Sequence, residues 1–340
     1  MIPLLAAAAA VLLLLVFIEA AYRFLACRPD LLEHCPQGII NSVGHLYVQG
    51  GERRVMQFLP DCGRHDPVLG YTLQPGSFVY SGREFSNRYE INSLGVRDDE
   101  ESLRAPEIVV VGDSFAVGWG VDREEMFSQV LERETGLEVL NTAIPSYGTV
   151  REMMILGQVP RERLKILVIQ YCHDDYDENL RFRQGGNRLK VMGEETFRRL
   201  AAFHSRPNPY FFGKYLGLKI QKRVDEWGGR LRKRTSAPPP GADEVDLFLH
   251  ALVHGGVDLS GVRIIAFEMN GRHQSNSFTT LLREKLRTGS WPEEIRRMTV
   301  LDMTEHLEDR HFYILDDHLK KEGHAVVARV ILEAIRSEMR

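Results

Sequence analysis

From residue 107 the chain alternates two patterns: EIVVVG, DREEMFSQVLERETG, EVLNTA, REMMILGQV and KILVIQY, then, after a break, VRIIAFEM at 262–269 and MTVLDM at 298–303. Short β-branched runs apolar on both faces, separated by stretches of helical period, pair as parallel strands joined by crossover helices. The expectation is an α/β domain over residues 106–340 with a parallel sheet of about five strands, closed by the amphipathic KKEGHAVVARVILEAIRSEMR. Asp122 and Glu125 form a capping box that predicts where the first long helix begins. Ser114, in VVVGDSF, then lies at the carboxyl edge of the first strand, where open α/β sheets place their ligands.

Residues 2–18 carry no charge before Glu19, a run at the short end of what spans a bilayer. No Ala-x-Ala site follows, so residues 1–22 read as an uncleaved signal anchor. Arg23 and Arg28 follow and no basic residue precedes, so charge alone does not orient it. Residues 23–105, with DPVLGYTLQPGSFVY and NRYEINSLGVRDDE, read as a β-rich preamble of hairpins rather than helices. Cys35 and Cys62 stand in loop-like surroundings and could pair outside the cytoplasm, whereas Cys172 ends an apolar strand as a small core residue. No Cys/His spacing suggests a metal site. With 43 basic against 47 acidic residues, nothing in the overall charge calls for nucleic acid.

An insertion at 181–245 interrupts the alternation; between 181 and 241 fifteen Lys and Arg stand against four Asp and Glu. Its aromatics, Tyr210, Phe211, Phe212, Tyr215 and Trp227, interleave with Lys214, Lys219, Lys222 and Arg223. That pattern suits either a membrane or polyanion contact or a solvated basic helix leading into a PPPG linker.

A serine hydroxyl needs a base to take its proton and donors to hold an oxyanion. The base is offered by ILDDHLKKEGH, where Asp316 and His318, separated by one residue before the last helix, could share one tight loop, the carboxylate setting the imidazole tautomer. The turn lacks the Gly-Lys-Ser/Thr of a phosphate-binding loop and the glycine spacing of a dinucleotide turn, and no motif calls for a cofactor. Glu268, Asn270 and Arg272 follow a strand at the ligand edge, which makes Asn270 and Arg272 candidate substrate contacts. His324 opens the final helix in a packing or capping role, and Asp302 caps the turn after its strand.

Gly112-Asp113-Ser114, the Asn141 loop, the acidic block after the third strand and Asp316-x-His318 together resemble the SGNH (GDSL) hydrolase superfamily over roughly residues 65–335. The likeness is to its bacterial, membrane-anchored branch, with Leu69-Gly70-Tyr71, Pro75-Gly76 and Asn92-Ser93-Leu94-Gly95 upstream. It implies a flavodoxin-like three-layer α/β/α sandwich, Ser114 as nucleophile, His318 as base and Asp316 as its orienting acid. It also implies an oxyanion hole from the Ser114 N–H, a backbone N–H at position 146 and a side chain at position 174.

This sequence departs from the family pattern twice. Ser146 replaces the usual glycine, a mild loss if the loop needs no positive φ there. Asp174 replaces the usual asparagine, and a carboxylate opposes a developing oxyanion where an amide would donate to it. Three resolutions are open: burial and Asp175 keep Asp174 protonated, His173 donates instead, or the site no longer hydrolyses esters. The resemblance therefore implies an esterase acting on acyl, foremost O-acetyl, groups of an envelope glycan or lipid-linked substrate, its body outside the cytoplasm. An O-acyltransferase acting on a polysaccharide, or a catalytically impaired glycan-binding component, are the alternatives.

Overall fold

The computed structural model describes residues 2–206, 208–233, 243–272 and 275–337. It opens with three helices, α1 (Ile2–Ala26), α2 (Pro29–Leu32) and α3 (Gln37–Gln49), followed by two antiparallel hairpins, β1 (Gly63–Asp66) with β2 (Gly70–Leu73) and β3 (Gly76–Ser81) with β4 (Ser86–Ile91). The hairpin reading thus fails for residues 29–49. Ile40, Val43, Leu46 and Tyr47 recur at helical spacing and are buried together against Tyr215.

The remainder alternates: β5 (Ile108–Val111), α4 (Phe127–Thr135), β6 (Val139–Asn141), α5 (Thr149–Leu156) and β7 (Ile166–Tyr171). Four helices follow, α6 (Asp175–Gln184), α7 (Glu194–His204), α8 (Lys214–Lys233) and α9 (Glu244–His254), and then β8 (Arg263–Glu268). The chain ends with α10 (Ser277–Thr288), α11 (Glu293–Arg296), β9 (Thr299–Leu301) and α12 (Lys321–Ser337). The five later strands form one parallel sheet in the order β6-β5-β7-β8-β9.

Alternate residues of each strand serve opposite faces. Val110, Val168, Ile265 and Phe267 pack with Phe127 and Leu131 of α4 and Val327 and Ile331 of α12. Val109, Val111, Leu167 and Ile169 pack with Met153 of α5 and Phe248 and Leu252 of α9. Each fully buried aliphatic side chain contributes roughly 1.5–3 kcal/mol, so the α/β/α layering follows from the apolar runs themselves. Because β5 is flanked by β6 on one side and β7 on the other, the winding reverses there, opening a crevice at the strands' carboxyl ends.

The Asp122–Glu125 capping box exists, but it closes a single 3-10 turn, and α4 starts only at Phe127. The first free N–H of α4, on Phe127, is satisfied from a distance: the buried His324 of α12 accepts it on Nδ1 at 3.3 Å. Asp302 caps its turn as expected, accepting from the Thr304 N–H.

The basic insertion carries the helices α7 and α8, joined by irregular stretches, and folds back on the N-terminal helix. Glu19, fully buried, accepts the Tyr215 and Leu216 N–H groups at the start of α8, and the Tyr210 hydroxyl at 2.9 Å. Tyr210 and Tyr215 therefore face α1, while Phe211 and Phe212 are exposed; the Trp227 side chain and the PPPG stretch lie outside the described residues. Above Glu19, α1 stands clear of the body, with Leu12, Leu13 and Phe17 exposed. Residues Pro3–Ala26 are long and apolar enough to cross a membrane, with a mean hydropathy of 2.6, a test that a signal sequence also passes. All four cysteines are free: Cys62 is buried, and the Cys35 thiol faces the Leu31 carbonyl rather than Cys62.

Burial pushes the His324 imidazole down from 6.5 to about 3, so the folded ring is neutral, as its acceptor role requires. A depressed histidine stabilises the fold above its unfolded value, and that contribution is lost as pH falls below 6.5. The stability gap between wild type and His324→Gln should shrink by about 2 kcal/mol between pH 7 and pH 5 in chemical denaturation. A gap independent of pH contradicts this role.

Candidate active site

Three turns at the carboxyl edge of the sheet build the site. The first follows β5. Gly112 is required by close approach, since a Cβ there would lie 2.6 Å from Gln170 Oε1 and 2.8 Å from the Ala116 Cβ. Gln170, buried in β7, accepts the Asp113 N–H at 3.0 Å, and Asp113 accepts the Phe115 N–H at 2.9 Å. Burial raises the Asp113 carboxyl to about 6. Ser114 is thereby left at the apex of a pinned turn.

The second turn brings Asp316 and His318 before α12. His318 Nε2 lies 2.7 Å from Ser114 Oγ, and its Nδ1 lies 2.5 Å from Asp316 Oδ1. The imidazole packs against Phe115 and Trp119, with ring centroids 4.7 and 4.8 Å away, contacts that restrict rotation of its plane. Asp316 and His318 are both buried. Their loop is clamped from the hairpin β3–β4, where Glu84 accepts the N–H groups of Ile314, Leu315 and Asp316 at 2.7, 2.8 and 2.9 Å. Burial raises the Glu84 carboxyl although those three donors oppose the shift.

Asp317 takes a left-handed conformation, φ 69°, one that aspartate tolerates better than most residues. Its Oδ1 accepts the Arg272 backbone N–H and Nε at 3.0 and 2.9 Å, and Arg272 Nη2 donates to the Ile314 carbonyl. Arg272, expected to touch substrate, is instead a clamp on this loop. Asn270 does line the cavity, yet both ends of its amide are engaged: Oδ1 accepts the His173 N–H and Nδ2 donates to Glu268.

The third turn follows β6. Asn141 is buried and braces the first turn, donating to the Ala116 carbonyl and the Ser128 hydroxyl. Ser146 has φ 61°, so its position does call for the left-handed conformation that glycine adopts freely, and replacing glycine is not mild. The strained serine gains one bond from its side chain, whose Oγ accepts Gln57 Nε2 at 3.0 Å. The Tyr71 hydroxyl, from the Leu-Gly-Tyr motif, donates to the Pro145 carbonyl at 2.9 Å, and a trans peptide then turns the Ser146 N–H to the opposite side. The backbone N–H groups of Ser114 and Ser146 have no acceptor among the described residues.

Asp174 lines the same cavity and is exposed. Burial acts on Asp175 and Glu152, whose carboxyls are both buried and both raised well above the ordinary carboxylate range. Neither Glu152 oxygen has a partner among the described residues, which suits a carboxyl that stays protonated. The acidic block therefore presents fewer charges to the site than its sequence suggests. His173 is drawn towards Glu244, 2.7 Å from Nδ1, a bond that raises the imidazole's pKa. Glu268 is pushed up to about 7 by burial.

The upstream Asn-Ser-Leu-Gly turn also reaches the site. Arg97, fully buried, stacks over Tyr89 at 3.8 Å and donates to the carbonyls of Gly118 and Val121, holding the chain just beyond Ser114. Asp98 accepts the Asn141 N–H at 2.9 Å. The cavity over the three turns measures about 730 Å³.

No known family profile and no curated protein matches the chain. Among solved structures, it is similar to a Desulfitobacterium hafniense protein provisionally described as lipolytic and of the G-D-S-L family: 14% identity, TM-score 0.33, covering 66% of this chain and 98% of that one. A carbohydrate esterase family 2 enzyme with a carbohydrate-binding domain from Corynascus shares 13% identity at TM-score 0.40, covering 69% and 66%. A family two carbohydrate esterase from Cellvibrio japonicus shares 12% at 0.36, covering 68% and 62%. Likeness this distant says nothing about activity, which this chain's own residues must carry.

The Glu84 clamp is directly testable. Glu84→Ala leaves three part-buried N–H groups unpaired, and should cost about 2–5 kcal/mol of unfolding free energy. Amides 314–316 should lose hydrogen-exchange protection more than the strands do. Unchanged protection at those amides would show that the loop holds itself.

Proposed function

We propose that the chain is a membrane-anchored serine esterase of SGNH (GDSL) type, removing acyl groups, foremost O-acetyl, from an envelope or extracellular glycan or lipid-linked substrate. The observation that carries this reading is the unbroken relay from Asp316 through His318 to Ser114, at 2.5 and 2.7 Å. Geometry of this kind lets an imidazole of fixed tautomer take the serine proton as Oγ forms its bond to the acyl carbon.

The steps balance without another reagent. Ser114 Oγ adds to the carbonyl, its proton passes to His318 Nε2, and the oxyanion is met by the Ser114 and Ser146 N–H groups. Collapse expels the sugar or lipid alkoxide, which takes the proton from Nε2. Water then adds to the acyl-serine with His318 as base, releasing the carboxylic acid and Ser114. A second hydroxyl in place of water would make the same intermediate an O-acyl donor, so hydrolase and transferase share this machinery.

Asp174 stands where the family pattern has a donor, and its exposure leaves solvent to screen the charge it brings. The two backbone N–H groups are the donors that support retained, though reduced, catalysis. Anchoring is supported by the packing of Glu19, Tyr210 and Tyr215: cleaving α1 from the body would strip the start of α8 of its carboxylate. A body outside the cytoplasm fits an acylated envelope substrate.

Hydrolysis of p-nitrophenyl acetate by the full-length protein in detergent tests the reading. Ser114→Ala should lower turnover roughly a thousandfold or more, and Asp174→Asn should raise it roughly tenfold or more by restoring a donor. Turnover by Ser114→Ala equal to wild type would exclude Ser114 as the nucleophile.

A further inference from the structure

A second cavity, of about 970 Å³, opens where α1, α3, the β3–β4 turn and the end of α7 meet. Five arginines from four separate stretches line it: Arg23, Arg53, Arg54, Arg83 and Arg206, against one carboxylate, Glu52. Glu52 is already shared by Arg23 at 3.1 Å and Arg83 at 2.5 Å, and also accepts the Tyr215 hydroxyl. Among the described residues, Arg53 donates a hydrogen bond to the Asp316 carbonyl alone, at 3.4 Å. Arg54 and Arg206 are exposed and have no ionic partner among the described residues.

Like charges gathered in one cavity repel, and such an arrangement is favourable when an anion completes it. Guanidinium forks match carboxylate and phosphate oxygens in paired hydrogen bonds. Because the arginines are spread around a space far larger than one anion, the ligand is expected to carry several charges along its length. Arg53 lines both this cavity and the one over Ser114, so the two cavities adjoin at its side chain.

We propose that this cavity binds an anionic glycan, with carboxylate or phosphate groups repeated along its length, and holds it so that an ester farther along reaches Ser114. The proposal rests on the serine-esterase reading for the second half of that statement and on the arginines alone for the first. The shared wall at Arg53 favours a substrate chain over a lipid headgroup, which could fill the basic cavity but would have no need to reach the nucleophile.

The test separates the two halves by measuring binding on full-length Ser114→Ala protein, which needs no turnover. Oligogalacturonate supplies carboxylates, short-chain polyphosphate supplies phosphates, and a neutral cello-oligosaccharide of matched length is the control. Binding of at least one anionic chain is expected, weakening with salt and falling roughly tenfold or more in Arg54→Glu/Arg206→Glu. The double Lys variant should retain most of that affinity, and both variants should keep the wild-type melting temperature, since both positions are exposed.

Three results would overturn the proposal: equal affinity for the neutral chain, anionic-chain affinity unchanged by the double Glu variant, or binding confined to phosphatidylglycerol vesicles and absent for every soluble chain. The last would assign the cavity to a lipid surface. Turnover of p-nitrophenyl acetate, measured separately on the protein with Ser114 intact, shows whether the esterase reading stands. Failure of one half is thereby distinguished from failure of the other.

Discussion

The hydrogen bond from Ser114 Oγ to His318 Nε2, 2.7 Å long, joins residues 204 positions apart, and the rest of the molecule is arranged around holding its two ends. One end is a strand apex pinned by a buried glutamine of the neighbouring strand. The other is a loop that would be free to move on its own, since Asp316 and His318 precede α12 rather than belong to it. Three clamps remove that freedom: Glu84 from a hairpin, Arg272 after β8 through Asp317, and the aromatic walls of Phe115 and Trp119. Without them, ordering the loop at the moment of reaction would draw on substrate-binding energy.

This explains why the segment upstream of the sheet is more than a stalk. Tyr71, Glu84, Arg97 and Asp98 each reach from residues 63–98 into one of the three turns. Arg97 can lie fully buried because backbone carbonyls receive its Nη1 and Nη2 groups and the Tyr89 ring faces its cation, a desolvated geometry in which such contacts are strongest. The hairpins serve the site by charge and hydrogen bonding, whereas the sheet serves it by position.

Much of this was legible in the sequence, and the boundary has physical causes. The sheet and the Ser114–His318–Asp316 trio could be read because apolar runs of strand length and a turn at a strand end are local signals. Glu84 and Gln57 carry no such signal: each works only on a partner far along the chain. Arg272 belongs with them, since position at a sheet edge does not reveal that its Nε is engaged by Asp317 and its Nη2 by the Ile314 carbonyl. The helix α3 was missed because Gly38, Gly44 and Asn41 mask its spacing, and tertiary burial of Ile40, Val43 and Leu46 overrides that weak propensity. Ser146 shows the opposite limit: its identity is plain, but the left-handed backbone that makes it costly appears only in three dimensions.

The central claim is that Ser114 is a nucleophile activated by His318, and labelling of the full-length protein with a fluorophosphonate reads that chemistry without presuming any substrate. The account predicts one adduct, mapped by mass spectrometry to Ser114, forming roughly a hundredfold or more slowly in folded His318→Ala protein. An unlabelled Ser114 in wild type, or a labelling rate indifferent to His318, would contradict it.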